Sequence, residues 1–348
     1  MNTSALENAT RGDSQFSCSL LERFIKESRG TMDKVYVINS VINGVFSCVA
    51  ILTNTLIMAT ILLRPRLRSP TSFLLFGLAV SDFGVGLLAQ PLYVVYKTAG
   101  FVENSNLNCA AGVAFVLASN QLSAVSFLTM TLLSVDRYLG LHLHLRYNEL
   151  VTVNRVKIAV VSTWILSASG NVSWLLSLKA YYIISATSFV LFLIATLFAY
   201  TNILFTVRRH RRKIQQQAVA VSNLTSASSQ NDTPPRQDTK TQDQTPNKEK
   251  RSDEMMPGYK KSAKNMFLIY IVFLICVLPF TCVLLVSTFM VRSTAVETAF
   301  NLTMSLVFIN SSMNPFLYCI LMRDLRREVR NMLVIVSGYF SQARRRSW

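Results

Sequence analysis

Asp136-Arg137-Tyr138 closes an apolar stretch that begins near Cys109. A charged triplet at the end of such a stretch marks a membrane–water boundary, and an arginine with an acid beside it can be clamped by that acid or released to bind something else. A second ionisable residue, Asp82, lies inside an apolar run. A lone carboxylate at mid-membrane costs about 2.5–3.5 kcal/mol on insertion scales, so polar partners or a cation must offset it. Asn314-Pro315-Phe316-Leu317-Tyr318 closes a further apolar run, and Pro279 interrupts another. Proline lacks an N–H and kinks a helix, which gives one half leverage to move against the other. The chemistry these residues point to is electrostatic switching. His142, His144 and Tyr147 follow Arg137 and read as surface or partner-contact residues, not metal ligands.

The elements that must carry them are membrane helices. Of the 348 residues, 51% are hydrophobic and 15% charged, against roughly 25% charged in soluble domains. Seven spans are predicted, near 36–63, 71–96, 109–136, 156–176, 181–207, 264–290 and 298–321, each close to the roughly 20 residues that cross a bilayer core. Lipid offers backbone groups no partners, so the expected fold is an all-α membrane protein, a seven-transmembrane helix bundle. Charge alternates with Leu325, Val329, Met332, Leu333 and Ile335 after span seven, which predicts a short amphipathic helix over 323–336 lying on membrane lipids. The chain then divides into an extracellular tail, 1–35, a transmembrane domain, 36–321, and an amphipathic helix with a cytoplasmic tail, 322–348. Span six is expected to start near Lys260, and residues 214–258, rich in Gln, Ser, Thr, Asp and Lys, form an inner loop too polar to bury a core.

The net charge of +17 does not point to nucleic acid, because its placement is topological. Arg64, Arg66 and Arg68 follow span one, Arg146 and Arg155 lie between spans three and four, Arg208 and Arg209 follow span five, and Arg323 and Arg326 follow span seven. These are alternate loops on one side, which the positive-inside rule places in the cytoplasm, with the N-terminus outside at the plasma membrane. The first 35 residues lack the apolar core of a signal peptide, so span one is expected to act as the anchor. Asn2 and Asn8 head glycosylation sequons on the outer side. Four of the six cysteines lie within spans; Cys18 and Cys109 are the pair expected on the oxidising side, either bridged or as two free thiols.

The chain resembles the rhodopsin-like (class A) G-protein-coupled receptors over nearly its whole length. The markers are Asn54, Leu78-Ala79-Val80-Ser81-Asp82, Asp136-Arg137-Tyr138, Trp164, Tyr200, Cys276-Val277-Leu278-Pro279 and Asn314-Pro315-Phe316-Leu317-Tyr318, one per span in order. The resemblance implies that Arg137 pairs with Asp136 at rest. On activation it swings toward Tyr200 and Tyr318 and meets a heterotrimeric G protein. It further implies a sodium pocket formed by Asp82, Asn54, Ser126, Asn310, Ser311 and Asn314, the alternative being a purely structural polar network around a protonated Asp82. Phe273, with Phe127 against it, matches an aromatic that the family retains below Pro279, whereas Val277 replaces the usual tryptophan and Phe192 the usual span-five proline. Span six lacks the acid that often helps to hold the arginine, which implies appreciable basal activity.

The family's ligand positions fall on Ser119, Asn120, Ser123, Ile184, Ser188, Phe280, Thr281, Leu284, Met304 and Phe308, none of them charged. Ser119 stands where amine receptors have aspartate, and Phe308 where opsins have lysine. The set therefore implies a small neutral or lipid-like extracellular ligand. The very short loop between spans four and five resembles the melanocortin branch and its adenosine and lipid-receptor relatives, yet adenosine receptors need an asparagine where this chain has Leu284. The expected activity is signalling, not enzymatic. Serines and threonines of 222–245 are candidate phosphorylation sites for arrestin docking. The alternatives are a receptor-like accessory protein that does not signal and a transporter or channel, which would require paired broken helices or a repeat that this sequence lacks.

Overall fold

The computed structural model describes residues 32–102, 104–143, 146–176, parts of 181–219, 247–289 and 293–346. Asn2, Asn8, Cys18, Phe192, Tyr200 and the segment 222–245 lie outside the described residues. Every regular element described is helical. Span one is Met32–Leu63. Span two runs as Pro70–Gly84, a π-helical turn over Val85–Ala89, and Gln90–Phe101. Span three is Ser105–Leu143, followed by a one-turn helix, Tyr147–Leu150. Span four is Val153–Leu176, and the described residues between 181 and 219 are all helical, as span five requires. Span six is Asn247–Phe289, span seven Thr294–Leu321, and a terminal helix follows over Arg323–Arg346.

Local chemistry sets these ends. Ser69 caps span two by accepting from the Ser72 N–H at 3.2 Å, with Pro70 in the first position, where a missing N–H costs nothing. Asn104 Oδ1 accepts from the Leu107 N–H at 3.1 Å to start span three. The π turn in span two immediately precedes Pro91, whose ring would clash with a carbonyl of the preceding turn in a regular helix. Its widened backbone frees the Gly86 carbonyl, which accepts from Ser47 Oγ of span one at 2.7 Å. That contact requires glycine: a Cβ on residue 86 would stand 2.9 Å from Ala50 Cβ and 3.0 Å from the Ser47 carbonyl oxygen.

Two boundaries differ from the sequence expectation. The helix of span six begins at Asn247, so residues 247–258 are helical and do not belong to a structureless loop. Lys248, Glu249, Lys250, Arg251, Glu254, Met255 and Met256 are strong helix formers and favour this turn of helix, against the adverse Pro257 and Gly258 that separate them from the membrane end. The terminal helix likewise continues past 336 to Arg346.

The bundle is inside-out relative to a soluble domain. Val37, Val41, Val45 and Leu52 form an exposed stripe on span one, whereas Asn43, Asn54 and Asp82 are fully buried. Five described helical segments are long and apolar enough to cross a membrane: Val35–Leu63, Pro70–Phe101, Ser105–Gly140, Phe267–Ser287 and Thr294–Leu321. Span three is the hub, packing on spans two, four and six; span seven packs on spans one and six. The terminal helix is tied back to span one by Arg64 and Glu328, 3.5 Å apart, and buries Leu325 and Val329.

Candidate functional site

Three linked features lie along the bundle axis. At the end rich in arginine, Asp136 is buried and satisfied from three elements. Arg137 Nε donates to its Oδ2 at 3.0 Å, with Nη2 on the same oxygen. Thr71 Oγ1 of span two donates to Oδ2 at 2.8 Å while accepting from Arg137 Nη2. Tyr147, from the one-turn helix, donates its hydroxyl to Oδ1 at 2.5 Å. Tyr147 is therefore buried in the latch, not a surface residue as its loop position implied. Burial, with the Asp136 carboxylate beside it, holds its phenol well above the ordinary tyrosine pKa, so it remains a donor. Tyr138 faces the other way and stacks on His142, ring centres 5.5 Å apart.

Midway along the bundle lies Asp82. Ser126 Oγ donates to its Oδ1 at 2.9 Å and Asn314 Nδ2 to its Oδ2 at 2.7 Å, and the Ser311 hydroxyl is a third partner. Ser81 joins through Ser126 at 2.9 Å. Asn54 stands one step away: its Nδ2 donates to the Ser311 carbonyl at 3.1 Å. That carbonyl is available because Pro315, four residues on, has no N–H to return to it. Three buried amide oxygens here, Asn54 Oδ1, Asn310 Oδ1 and Asn314 Oδ1, make no hydrogen bond to protein. One carboxylate amid neutral hard oxygens suits a singly charged hard cation. Below this layer Phe127 stacks on Phe273 at 5.7 Å, and Tyr318 is fully buried.

Toward the opposite end a cavity of about 740 Å³ opens between spans three to seven. Its lining takes in Ser119, Asn120, Ser123, Ile184, Ser188, Phe280, Thr281, Leu284 and Met304, and reaches down to Ser126, Asn310 and Ser311 of the Asp82 layer. Thr281 spends its hydroxyl on the Val277 carbonyl at 3.0 Å. A smaller chamber of about 130 Å³ adjoins it above, walled by Tyr93, Tyr96, Lys97, Phe115, Glu297 and Asn301 among others.

Residues 53–181 and 171–318 match the model of the 7 transmembrane receptor (rhodopsin family). The chain belongs to that family. The family is a class of receptors, not of enzymes, and the chain is a multi-pass membrane protein with the seven-helix fold. The receptor is 36% identical over 123 residues to "Adenosine receptor A2a" of Cavia porcellus, covering 35% of this chain and 29% of that protein. It is 34% identical over 137 residues to "Adenosine receptor A2b" of Gallus gallus, covering 39% and 38% respectively. The receptor thus aligns with well under half the length of these relatives.

Phe308 stands behind the wall of the smaller chamber, against two of its lining rings. It is fully buried, edge-on to Tyr93 and Phe115 with ring centres 6.4 and 6.1 Å away, and forms core between spans two, three and seven. Lys97 and Glu297 also wall the upper chamber, beside ligand positions that are themselves uncharged. Both lie near helix ends, Lys97 in the part of span two that follows its π segment and Glu297 in the first turn of span seven. Cys109 is disulfide-bonded, while Cys48, Cys276, Cys282 and Cys319 are free.

Proposed function

We propose that this receptor resides in the plasma membrane with its N-terminus outside and transmits binding of an extracellular ligand in the cavity to a heterotrimeric G protein at the arginine-rich end. The observation that carries this reading is the latch. Asp136, which holds Arg137, is itself bonded from span two, span three and the one-turn helix, so a small displacement of any of the three weakens the clamp. A ligand shifts such a two-state balance only by its differential affinity for the two states. The cavity reaches the Asp82 layer at Ser126, Asn310 and Ser311, so a ligand there meets the polar centre of the bundle.

Sodium is the proposed allosteric ion at Asp82, with Ser126, Ser311, Asn310 and Asn314 as candidate ligands and Asn54 bracing the Ser311 carbonyl. Tyr200 and Tyr318 are the proposed landing points of Arg137 after release, and Pro279 the hinge of span six. Cys18 is proposed as the partner of Cys109, with glycans at Asn2 and Asn8, and phosphorylated residues of 222–245 as an arrestin site. The relatives are named for adenosine, but Leu284 offers a purine base no hydrogen bond, so a nucleoside is not the proposed ligand. The test is guanine-nucleotide exchange by purified G protein with the receptor in nanodiscs. Exchange above the receptor-free rate that is lost in Arg137→Ala supports the reading; exchange no faster than without receptor rejects it.

A further inference from the structure

We propose that Asn265 is a positioning residue for coupling: its side chain clasps the inner end of span six to the last turn of span seven and so holds the resting state. The inference rests on the receptor reading above. Asn265 Nδ2 donates to the Leu321 carbonyl. Leu321 is the last residue of the span-seven helix, and the carbonyls of a helix's last turn find no N–H within their own helix. The Met322 N–H returns to the Tyr318 carbonyl at 2.8 Å and the Arg326 N–H to the Met322 carbonyl at 3.0 Å, which leaves the Leu321 carbonyl to a side chain. Arg326 Nη1 serves the neighbouring Ile320 carbonyl in the same way, at 3.4 Å. The acceptor stands on a fixed post, because Leu325 and Val329 of the terminal helix are buried and Glu328 lies 3.5 Å from Arg64 at the end of span one.

An asparagine in a helix has a nearer partner in the carbonyl one turn back, and Asn202 and Asn301 send their amide donors there. Asn265 reaches a different span instead, so its bond depends on the spacing of spans six and seven. It lies fourteen residues inward of Pro279, about 21 Å along a helix. A swing about that hinge displaces the chain little near Phe273 and most near Asn265. The contacts closer to the hinge include apolar ones: Ile269 and Phe273 are buried, and Phe273 stacks on Phe127. Dispersion contacts tolerate a small slide, whereas a hydrogen bond weakens steeply outside a narrow range of length and angle. Residues 259–264 offer Arg137 no acid. The polar restraint on this end of span six therefore runs to span seven and not to the arginine.

The experiment uses the full-length receptor in nanodiscs, with spin labels on non-natural residues that replace Lys261 of span six and Arg66 between spans one and two, which spares the native cysteines. Pulsed electron paramagnetic resonance reads the separation of the labels with no ligand added. Asn265→Ala removes the donor, and alanine favours helix more than asparagine does, so this variant folds. Asn265→Asp keeps the size and sets an oxygen against the Leu321 carbonyl. The expected result is that the population with the longer separation rises about two- to tenfold in Asn265→Ala, and at least as far in Asn265→Asp. A merely structural asparagine would lower the unfolding midpoint and leave the distance distribution as it was. An unchanged distribution in both variants overturns the proposal. Nucleotide exchange is measured on the same samples. A longer separation without any rise in exchange upholds the clasp and counts against the coupling reading. Raised exchange with the distribution unchanged rejects the clasp alone.

Discussion

Replacing Tyr147 by Phe removes one oxygen from the latch and leaves the ring that fills the space. The lost contact is a 2.5 Å hydrogen bond to a buried carboxylate, and bonds of that kind contribute about 1.5–3 kcal/mol. Asp136 then keeps only the donors of Thr71 and Arg137. If the bond exists at rest and breaks on activation, the substitution raises the active-to-resting ratio by roughly 10- to 100-fold, since about 1.4 kcal/mol is one factor of ten. Basal exchange, with no ligand added, is expected to rise accordingly until the active state saturates. The assay is ligand-free nucleotide exchange at matched receptor concentration, with folding checked by thermal unfolding. Basal exchange unchanged or lower in a folded Tyr147→Phe protein would refute the assignment of Tyr147 to the resting state. The pH dependence has a definite sign. The folded state holds the Tyr147 proton more tightly than the unfolded chain, so this group costs stability only as pH rises above about 10, where an unfolded tyrosine ionises. Through physiological pH it leaves the latch constant.

Asp82→Asn is expected to abolish any effect of sodium on ligand affinity, measured by binding in sodium and in a matched organic cation; retained sodium sensitivity contradicts the assignment of the ion to Asp82. Asn54→Ala strands the Ser311 carbonyl opposite Pro315 and is expected to cost about 1–3 kcal/mol, read as a lowered unfolding midpoint in detergent. Gly86→Val pushes a side chain into Ala50 and the Ser47 backbone, which gives way little. A loss of about 1–3 kcal/mol or poor recovery of folded protein is expected, and a wild-type midpoint would show that spans one and two separate freely.

The features legible in the sequence were those that lipid makes compulsory. A carboxylate inside an apolar run must be satisfied; the family resemblance named Ser126 and Asn314 among its partners, and both are bonded to it. The pairing of Asp136 with Arg137 was equally plain, being a contact between neighbours. Tyr147 was not legible, because a one-turn helix between spans three and four folds it back by an angle no residue pattern records. Helical period gives the face of span seven on which Phe308 lies but not its depth, which sets the ring behind Tyr93 and Phe115. Sequence position also cannot say whether a lysine near a helix end, such as Lys97, turns toward lipid headgroups or into the bundle. The inward extension of span six was hidden by charge, since a solvated helix and a solvated loop share a composition.

The most direct test of the account is a structure of the receptor bound to nucleotide-free heterotrimeric G protein. The account predicts that Arg137 has left Asp136 and Thr71 and touches the G protein. Finding the G protein docked while Arg137 keeps both contacts would contradict it.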